Sequence, residues 1–227
     1  IVQLHSGVGL GNGIGMMYQA YRGHSPLVVI AGEAGVQYEA MDAQMAINLV
    51  DMARPVTKYA TRVTDPKSLL RLLRRCIKMA CTPPTGPTFL CVPLDILDSI
   101  NTESLVQTIV PQTRTVPPAE EMADVARWLL EAEHPVILMG DGITRSGAQQ
   151  ELTDLAHAVG APVWGVNSSE NNMSPRDPLY MGLTGHMFGK DSARATQDAD
   201  VVLICGTYVF PEVFPYLDEK QIFRPDA

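Results

Sequence analysis

Four short runs of apolar residues do most to limit what this chain can become. They are Leu27-Val28-Val29-Ile30-Ala31, Thr88-Phe89-Leu90-Cys91-Val92, Val136-Ile137-Leu138-Met139 and Val201-Val202-Leu203-Ile204-Cys205. Each is continuous rather than alternating, so both faces of the strand must be covered, as in a parallel sheet between helices. Stretches of helical period lie between them, and βα alternation of this kind gives an α/β fold. None of the runs approaches the ~20 residues of a membrane span.

The flanking punctuation fixes the expected elements. A strand ends near Leu4, and Ser25-Pro26 introduces residues 27–31. Met41, Met45 and Leu49 recur at four-residue spacing, which predicts a helix over 40–52 that Arg54-Pro55 breaks. A strand is expected over 56–63. Asp65-Pro66 starts a helix over 67–81, with Leu69, Leu70, Leu73, Ile77 and Ala80 on one face. Its arginines read as a solvated face. In the second half the pattern gives a helix over 119–131, strand 136–139, turn Gly140-Asp141-Gly142, helix 147–159, strand 162–166, a long loop, helix 191–197 and strand 200–205.

The expected fold class is therefore two parallel-sheet, three-layer αβα domains of flavodoxin or Rossmann type, both incomplete. Domain one covers 1–98 and domain two 118–227. Residues 99–117, polar and marked by Pro111 and Pro117, are the linker between them. The opening Ile1 and the close at Ala227 read as cuts from a longer protein.

Composition excludes some partners. The 227 residues carry 17 Lys and Arg against 25 Asp and Glu, a formal charge of −8. That balance argues against nucleic acid and against an anionic membrane. Cys76, Cys81, Cys91 and Cys205 form no C-x-x-C and read as reduced thiols of a cytoplasmic protein.

The chemistry-bearing feature is the stretch His5-Ser6-Gly7-Val8-Gly9-Leu10-Gly11-Asn12-Gly13-Ile14-Gly15. It lacks the third glycine of a dinucleotide fingerprint, since the required positions hold Asn12, Ile14 and Met16, and no Lys-Ser/Thr follows for a P-loop. It reads as a strand-to-helix turn leading to a helix over 12–21. His5, Ser6 and Asn12 then stand at the carboxyl end of a strand, where open parallel sheets place ligands. The alternative is a tight turn packed on another subunit, with His5 bonded to backbone.

These residues resemble the thiamine diphosphate-dependent decarboxylases of the benzoylformate decarboxylase type, whose pattern here is L-H-S followed by G-x-G-N-x-x-G. The likeness continues in order through Ser25 to Gly32, Arg54-Pro55-Val56-Thr57-Lys58, Gly86 to Asp95, Gly140-x-Gly142, Gly160-Ala161-Pro162-Val163 and Ala199 to Leu203. It implies the later part of a pyrimidine-binding domain followed by a central domain. It further implies a cytoplasmic homodimer or homotetramer with its site between subunits, acting on a small 2-oxo acid.

In that family a thiazolium ring stabilises the carbanion left by decarboxylation. His5 takes the place of the family's proton-shuttling histidine, and Ser6 and Asn12 would bond cofactor or substrate, or fix the loop. The catalytic Glu would precede Ile1, and the Mg²⁺ and diphosphate site would follow Ala227, so the chain alone should be inactive and hold no metal. Whether the central domain takes FAD or another nucleotide stays open.

Departures from the family pattern leave two rivals. No histidine occurs over 207–216, where the family has a second one, while His186 stands in a nearby loop. One rival is an acetolactate synthase-like carboligase. The other is a non-catalytic nucleotide-binding or scaffold module. Asp141 with Asn171 and Asn172 imitates the family's metal motif, but Asp141 is expected in a turn. Glu33, Glu39 and Asp42 read either as acid and base groups or as acids favoured by a helix N-terminus.

Overall fold

A computed structural model describes residues 1–185, 189–208, 223–224 and 227. The chain divides into two compact units, Ile1–Thr115 and Val116–Ala227. Residues 99–118 contain neither helix nor strand.

In the first unit, β1 (Val2–His5), β2 (Leu27–Glu33), β3 (Tyr59–Arg62) and β4 (Pro87–Pro93) form one parallel sheet in the order β1-β2-β4-β3. The register sets Leu4 beside Ala31 and Ala31 beside Cys91. Every residue of β4 is buried, as its unbroken apolar run requires. Helices α1 (Ser6–Arg22) and α2 (Leu49–Ala53) cover one face, packing Leu10, Met17 and Leu49 on Val29, Ala31, Phe89 and Cys91. Helix α3 (Leu69–Cys81) covers the other with Cys76 and Ala80 against Val28, Leu90 and Val92. Helix α4 (Leu94–Leu97) follows β4 directly.

Three expectations are corrected here. The glycine-rich stretch is not a turn running to Gly15; α1 starts at Ser6, and the glycines lie within it. Each glycine inside a helix costs roughly 0.5–1 kcal/mol against alanine. Close packing offsets that cost, because a Cβ on Gly13 would lie 2.7 Å from Leu4 Cδ1 of the strand beneath. The single helix over 40–52 is instead a 3-10 turn, Val36–Met41, then an irregular stretch, then α2. Asp42 stands in the left-handed region at φ 48, and Asn48 caps α2 by accepting from Asp51 N at 3.1 Å. Such side chains compete locally with a continuous helix. The strand expected over 56–63 is shorter, because Arg54–Val56 closes in a 3-10 turn.

In the second unit, β5 (Pro135–Met139), β6 (Val163–Gly165), β7 (Tyr180–Leu183) and β8 (Val201–Cys205) form a parallel sheet in the order β7-β6-β5-β8. Helices α5 (Ala119–Glu131), α6 (Gly142–Ser146), α7 (Gln149–Val159) and α8 (Gly189–Thr196) intervene. One core sets Ile137, Met139 and Val163 against Leu152 and Ala156 of α7; another gathers Val136, Leu138, Val166 and Ala199. Strand β7 falls inside the expected long loop. It is a four-residue edge strand with irregular pairing to β6, too short for a readable period. All four cysteines are free. Burial pushes the Cys76 and Cys205 thiols up to about 11. Among the described residues no helix is long and apolar enough to cross a membrane.

Candidate active site at the carboxyl ends of the first sheet

The last residues of the four strands in the first unit are His5, Glu33, Arg62 and Pro93. His5 ends β1 in extended conformation and is exposed. Ser6 then turns the chain into α1 at φ 50, with its own residue buried. A non-glycine residue held in that region is strained, and such strain concentrates where geometry matters. The turn therefore fixes the backbone position from which the imidazole projects. His5 and Ser6 are adjacent, but Asn12 is not brought to them. It lies six helical residues on, about 9 Å along the axis. It is exposed on the outward side of α1, with Val8 and Met16 one turn to either side.

The loop after β2 reaches back towards this turn. A Cβ on Gly7 would meet Ile47 Cγ2 at 3.1 Å, so Ile47 packs over the residue next to Ser6. Asp95 holds the near end of the loop. Its carboxylate accepts from Val36 N at 3.1 Å, Gln37 N at 3.2 Å and Ile96 N at 3.0 Å. Gly35, at φ 116, makes that approach; a Cβ there would sit 3.2 Å from the Asp95 carboxyl carbon. Desolvation alone would raise the Asp95 pKa, but the N–H donors outweigh it and hold the acid below its usual range.

Glu33 and Glu39 are not a free acid–base pair, and Glu39 stands in the first turn of the 3-10 segment Val36–Met41. Both bind Arg62: its Nε donates to Glu33 Oε1, and its Nη1 to Glu39 Oε2 at 3.0 Å. Desolvation opposes the guanidinium charge, yet the bonds to Glu39 and Glu33 leave the Arg62 pKa raised. Cys91 lies against the same cluster. Its burial, and next the Glu33 charge, push the thiol up to about 12. Sequence reading missed Arg62. Its only signal was a charged residue closing a strand expected to run on to Val63.

In the second unit, the sheet order reverses between β5 and β8, the place where such sheets leave a crevice. Here the two strand-end turns bond each other. Gly140 N donates to Cys205 O at 3.1 Å and Gly142 N to Gly206 O at 2.9 Å, so neither N–H is free for a phosphate.

Asp141 is saturated with donors. It accepts from Ser169 N at 3.0 Å, Ser169 Oγ at 2.6 Å, Glu170 N at 3.0 Å and Asn172 Nδ2 at 3.1 Å. Desolvation raises its pKa, but the Ser169 hydroxyl and the other donors lower it further, to about 2. Asn172 Oδ1 in turn accepts from Thr144 N and Oγ1. Asp141 stands in a turn at the N-cap position of α6 without a side-chain capping bond, and its carboxylate instead clasps the loop at Ser169, Glu170 and Asn172. Among the described residues, no three His, Cys, Asp or Glu side chains are grouped to hold a metal ion.

The other histidines are placed as follows. His157 Nε2 lies 2.9 Å from Asp177 Oδ2. The backbone N–H of His134, with that of Glu133, donates to Asp200. His186 and residues 209–216 of the stretch without histidine lie outside the described residues.

Parallel α/β units of this kind form a class whose ligands, where bound, lie at the carboxyl edge of the sheet. The comparisons with known proteins narrow that class. Residues 1–52 match the family "Thiamine pyrophosphate enzyme, N-terminal TPP binding domain". Residues 122–226 match "Thiamine pyrophosphate enzyme, central domain". The chain belongs to the thiamine pyrophosphate (thiamine diphosphate) enzyme family.

Among its relatives is a sulfoacetaldehyde acetyltransferase of Castellaniella defragrans, 32% identical over 91% of this chain and 34% of that protein. A probable acetolactate synthase large subunit of Methanocaldococcus jannaschii is 28% identical over 98% of this chain and 38% of its own length. Benzoylformate decarboxylase of Pseudomonas aeruginosa is 25% identical over 92% of this chain and 40% of its own. A provisionally assigned thiamin diphosphate-dependent enzyme of Mycobacterium smegmatis superposes with a TM-score of 0.87 at 26% identity, over 100% of this chain and 44% of that one. The chain thus spans between a third and a half of the length of these proteins.

Proposed function

We propose that the complete protein is a lyase: a thiamine diphosphate-dependent 2-oxo acid decarboxylase whose residue His5 moves the proton. In this reading residues 1–98 are the later part of a pyrimidine-binding domain, 99–117 a linker and 118–227 a central domain. The observation that carries it is the exposed imidazole at the end of β1, held by the strained turn at Ser6. An imidazole is a side chain chemically suited to carrying a proton to and from a reacting group.

The residues present fit one side of the cofactor. An exposed imidazole supplies a polar contact and Ile47 over Gly7 an apolar one, while the cofactor-binding role proposed for Asn12, away from His5 along α1, is towards a neighbouring copy of the chain. Bound thiamine diphosphate supplies the electron sink for the bond broken in the 2-oxo acid. Ser6 fixes the turn, and His5 gives or takes the proton at its ring nitrogen. The outward placement of Asn12 beside Val8 and Met16 suits a site completed by a second copy of the chain. Magnesium belongs with a diphosphate site elsewhere in the protein, and a cytoplasmic setting suits the free thiols.

The test is His5→Ala in the complete protein. The rate of 2-oxo acid consumption should fall roughly 100-fold or more, the range of general acid–base catalysis, with the circular dichroism spectrum unchanged. Kinetics equal to wild type would leave His5 a structural residue.

A second reading is a carboligase. The similarity to an acetolactate synthase subunit favours it. Product analysis separates the two: an aldehyde with CO₂ marks the decarboxylase, and a longer hydroxy-oxo acid marks the ligase. A bound-flavin absorbance band would assign FAD to the central domain.

A further inference from the structure

We propose that Arg62 is the receptor for the anionic group of the substrate, and that Glu39 occupies it until substrate arrives. The inference rests on the 2-oxo acid reading above and names the residue that would recognise the acid.

The cluster holds two carboxylates and one guanidinium. One carboxylate suffices to neutralise Arg62, and Glu33 fills that part: its side chain is 6% exposed, it ends β2, and it bonds Nε. Removing it would strand a buried charge. Glu39 differs. Its side chain is 64% exposed, and it sits in the 3-10 turn that Asp95 pins above the strand ends. An exposed ion pair of this kind contributes only about 0–1 kcal/mol. Exchanging it for another carboxylate conserves charge and bond type, so substrate can displace Glu39 at little cost.

Placement agrees. Glu33 ends β2, the strand next to β1, and Arg62 ends β3 at the far edge of the order β1-β2-β4-β3; its guanidinium reaches back across β4 to Glu33, which brings the cation to the strand beside that of the imidazole. Of the four strand-ending residues, Arg62 is the one permanent cation. A planar guanidinium fork matches a carboxylate or sulfonate. In a chain of formal charge −8, an anionic substrate needs such a local cation.

The experiment uses the complete protein with thiamine diphosphate bound. KM and kcat for the 2-oxo acid it consumes are measured for wild type, Glu39→Gln, Arg62→Gln and the double variant Glu33→Gln/Arg62→Gln. The double variant replaces the buried ion pair by an amide pair, in case Arg62→Gln alone unfolds the sheet edge. Arg62→Gln and the double variant should raise KM about tenfold or more, the size of a lost charge-assisted bond. Glu39→Gln should lower KM about threefold with kcat little changed, because the competing charge is gone. KM within twofold of wild type in all variants overturns the proposal.

Calorimetry with oxamate, an unreactive isostere of a small 2-oxo acid, separates this failure from failure of the functional reading. If no 2-oxo acid is consumed, the functional reading falls. Oxamate binding that weakens in Arg62→Gln and tightens in Glu39→Gln would still support the anion receptor. Oxamate binding that is absent or equal in all forms would remove the receptor as well.

Discussion

At the scale of single residues, charged side chains in this chain are placed to hold backbone. Lys58, from the Arg54-Pro55-Val56-Thr57-Lys58 motif, runs its stem along Gly86, where a Cβ would come within 3.1 Å of Lys58 Cδ. Its Nζ donates to Met79 O at 2.7 Å and Thr82 O at 2.6 Å, carbonyls at the C-terminus of α3 that the helix itself leaves without partners. Lys58→Met keeps the stem and removes the donors. It should destabilise the protein by about 1–3 kcal/mol, the cost of leaving such groups unsatisfied, measured as a lower denaturant midpoint.

Asp141 gives a pH signature with a definite sign. Its folded pKa of about 2 lies below the ordinary 3.8. The stability it contributes is therefore fully present above pH 3.8 and is lost as pH falls towards 2. Denaturant titrations between those pH values should show wild type losing stability relative to Asp141→Asn, and parallel curves would refute the clasp. Neither role was legible in the sequence. The partners of Lys58 lie 21 and 24 residues away and those of Asp141 27 to 31 residues away, so only folding brings them together.

At the scale of elements, continuous apolar runs and helix punctuation were readable because their causes are local. Strand β4 is buried along its whole length, and Asp65 accepts from Lys67 N at 3.0 Å where Pro66 starts the turn into α3. Element starts governed by packing were not readable. Helix α1 begins six residues before Asn12 because a strand lies under its glycines, and glycine content alone suggests a turn. The same contrast makes a prediction. A Cβ on Gly142 would sit 2.5 Å from Gly206 Cα, which is backbone and cannot rotate away. Gly142→Ala should therefore lower stability by about 1–3 kcal/mol, the usual cost of overpacking, read as a fall in melting temperature.

At the scale of the whole molecule, the proposal that a second copy completes the site rests on the outward side of α1. Val8 and Met16 are 77% and 72% exposed on the outward side of α1, beside Asn12. Apolar side chains grouped this way mark contact surfaces when they are covered in the assembly. Met16→Glu in the complete protein should shift sedimentation towards a smaller species and lower activity in parallel. An unchanged sedimentation coefficient would remove α1 from the subunit interface.

The sequence by itself determined two parallel α/β units and the position of His5 at a strand end, because burial of apolar runs and the ordering of strand, turn and helix depend on neighbours within a few residues. It also carried the family, through short motifs kept in order. Tertiary structure alone decided the Glu33–Arg62–Glu39 cluster, the Asp95 and Asp141 clasps and the true start of α1. Each of these joins groups from different strands and loops, and long-range charge pairing and close backbone approach leave no period in the chain.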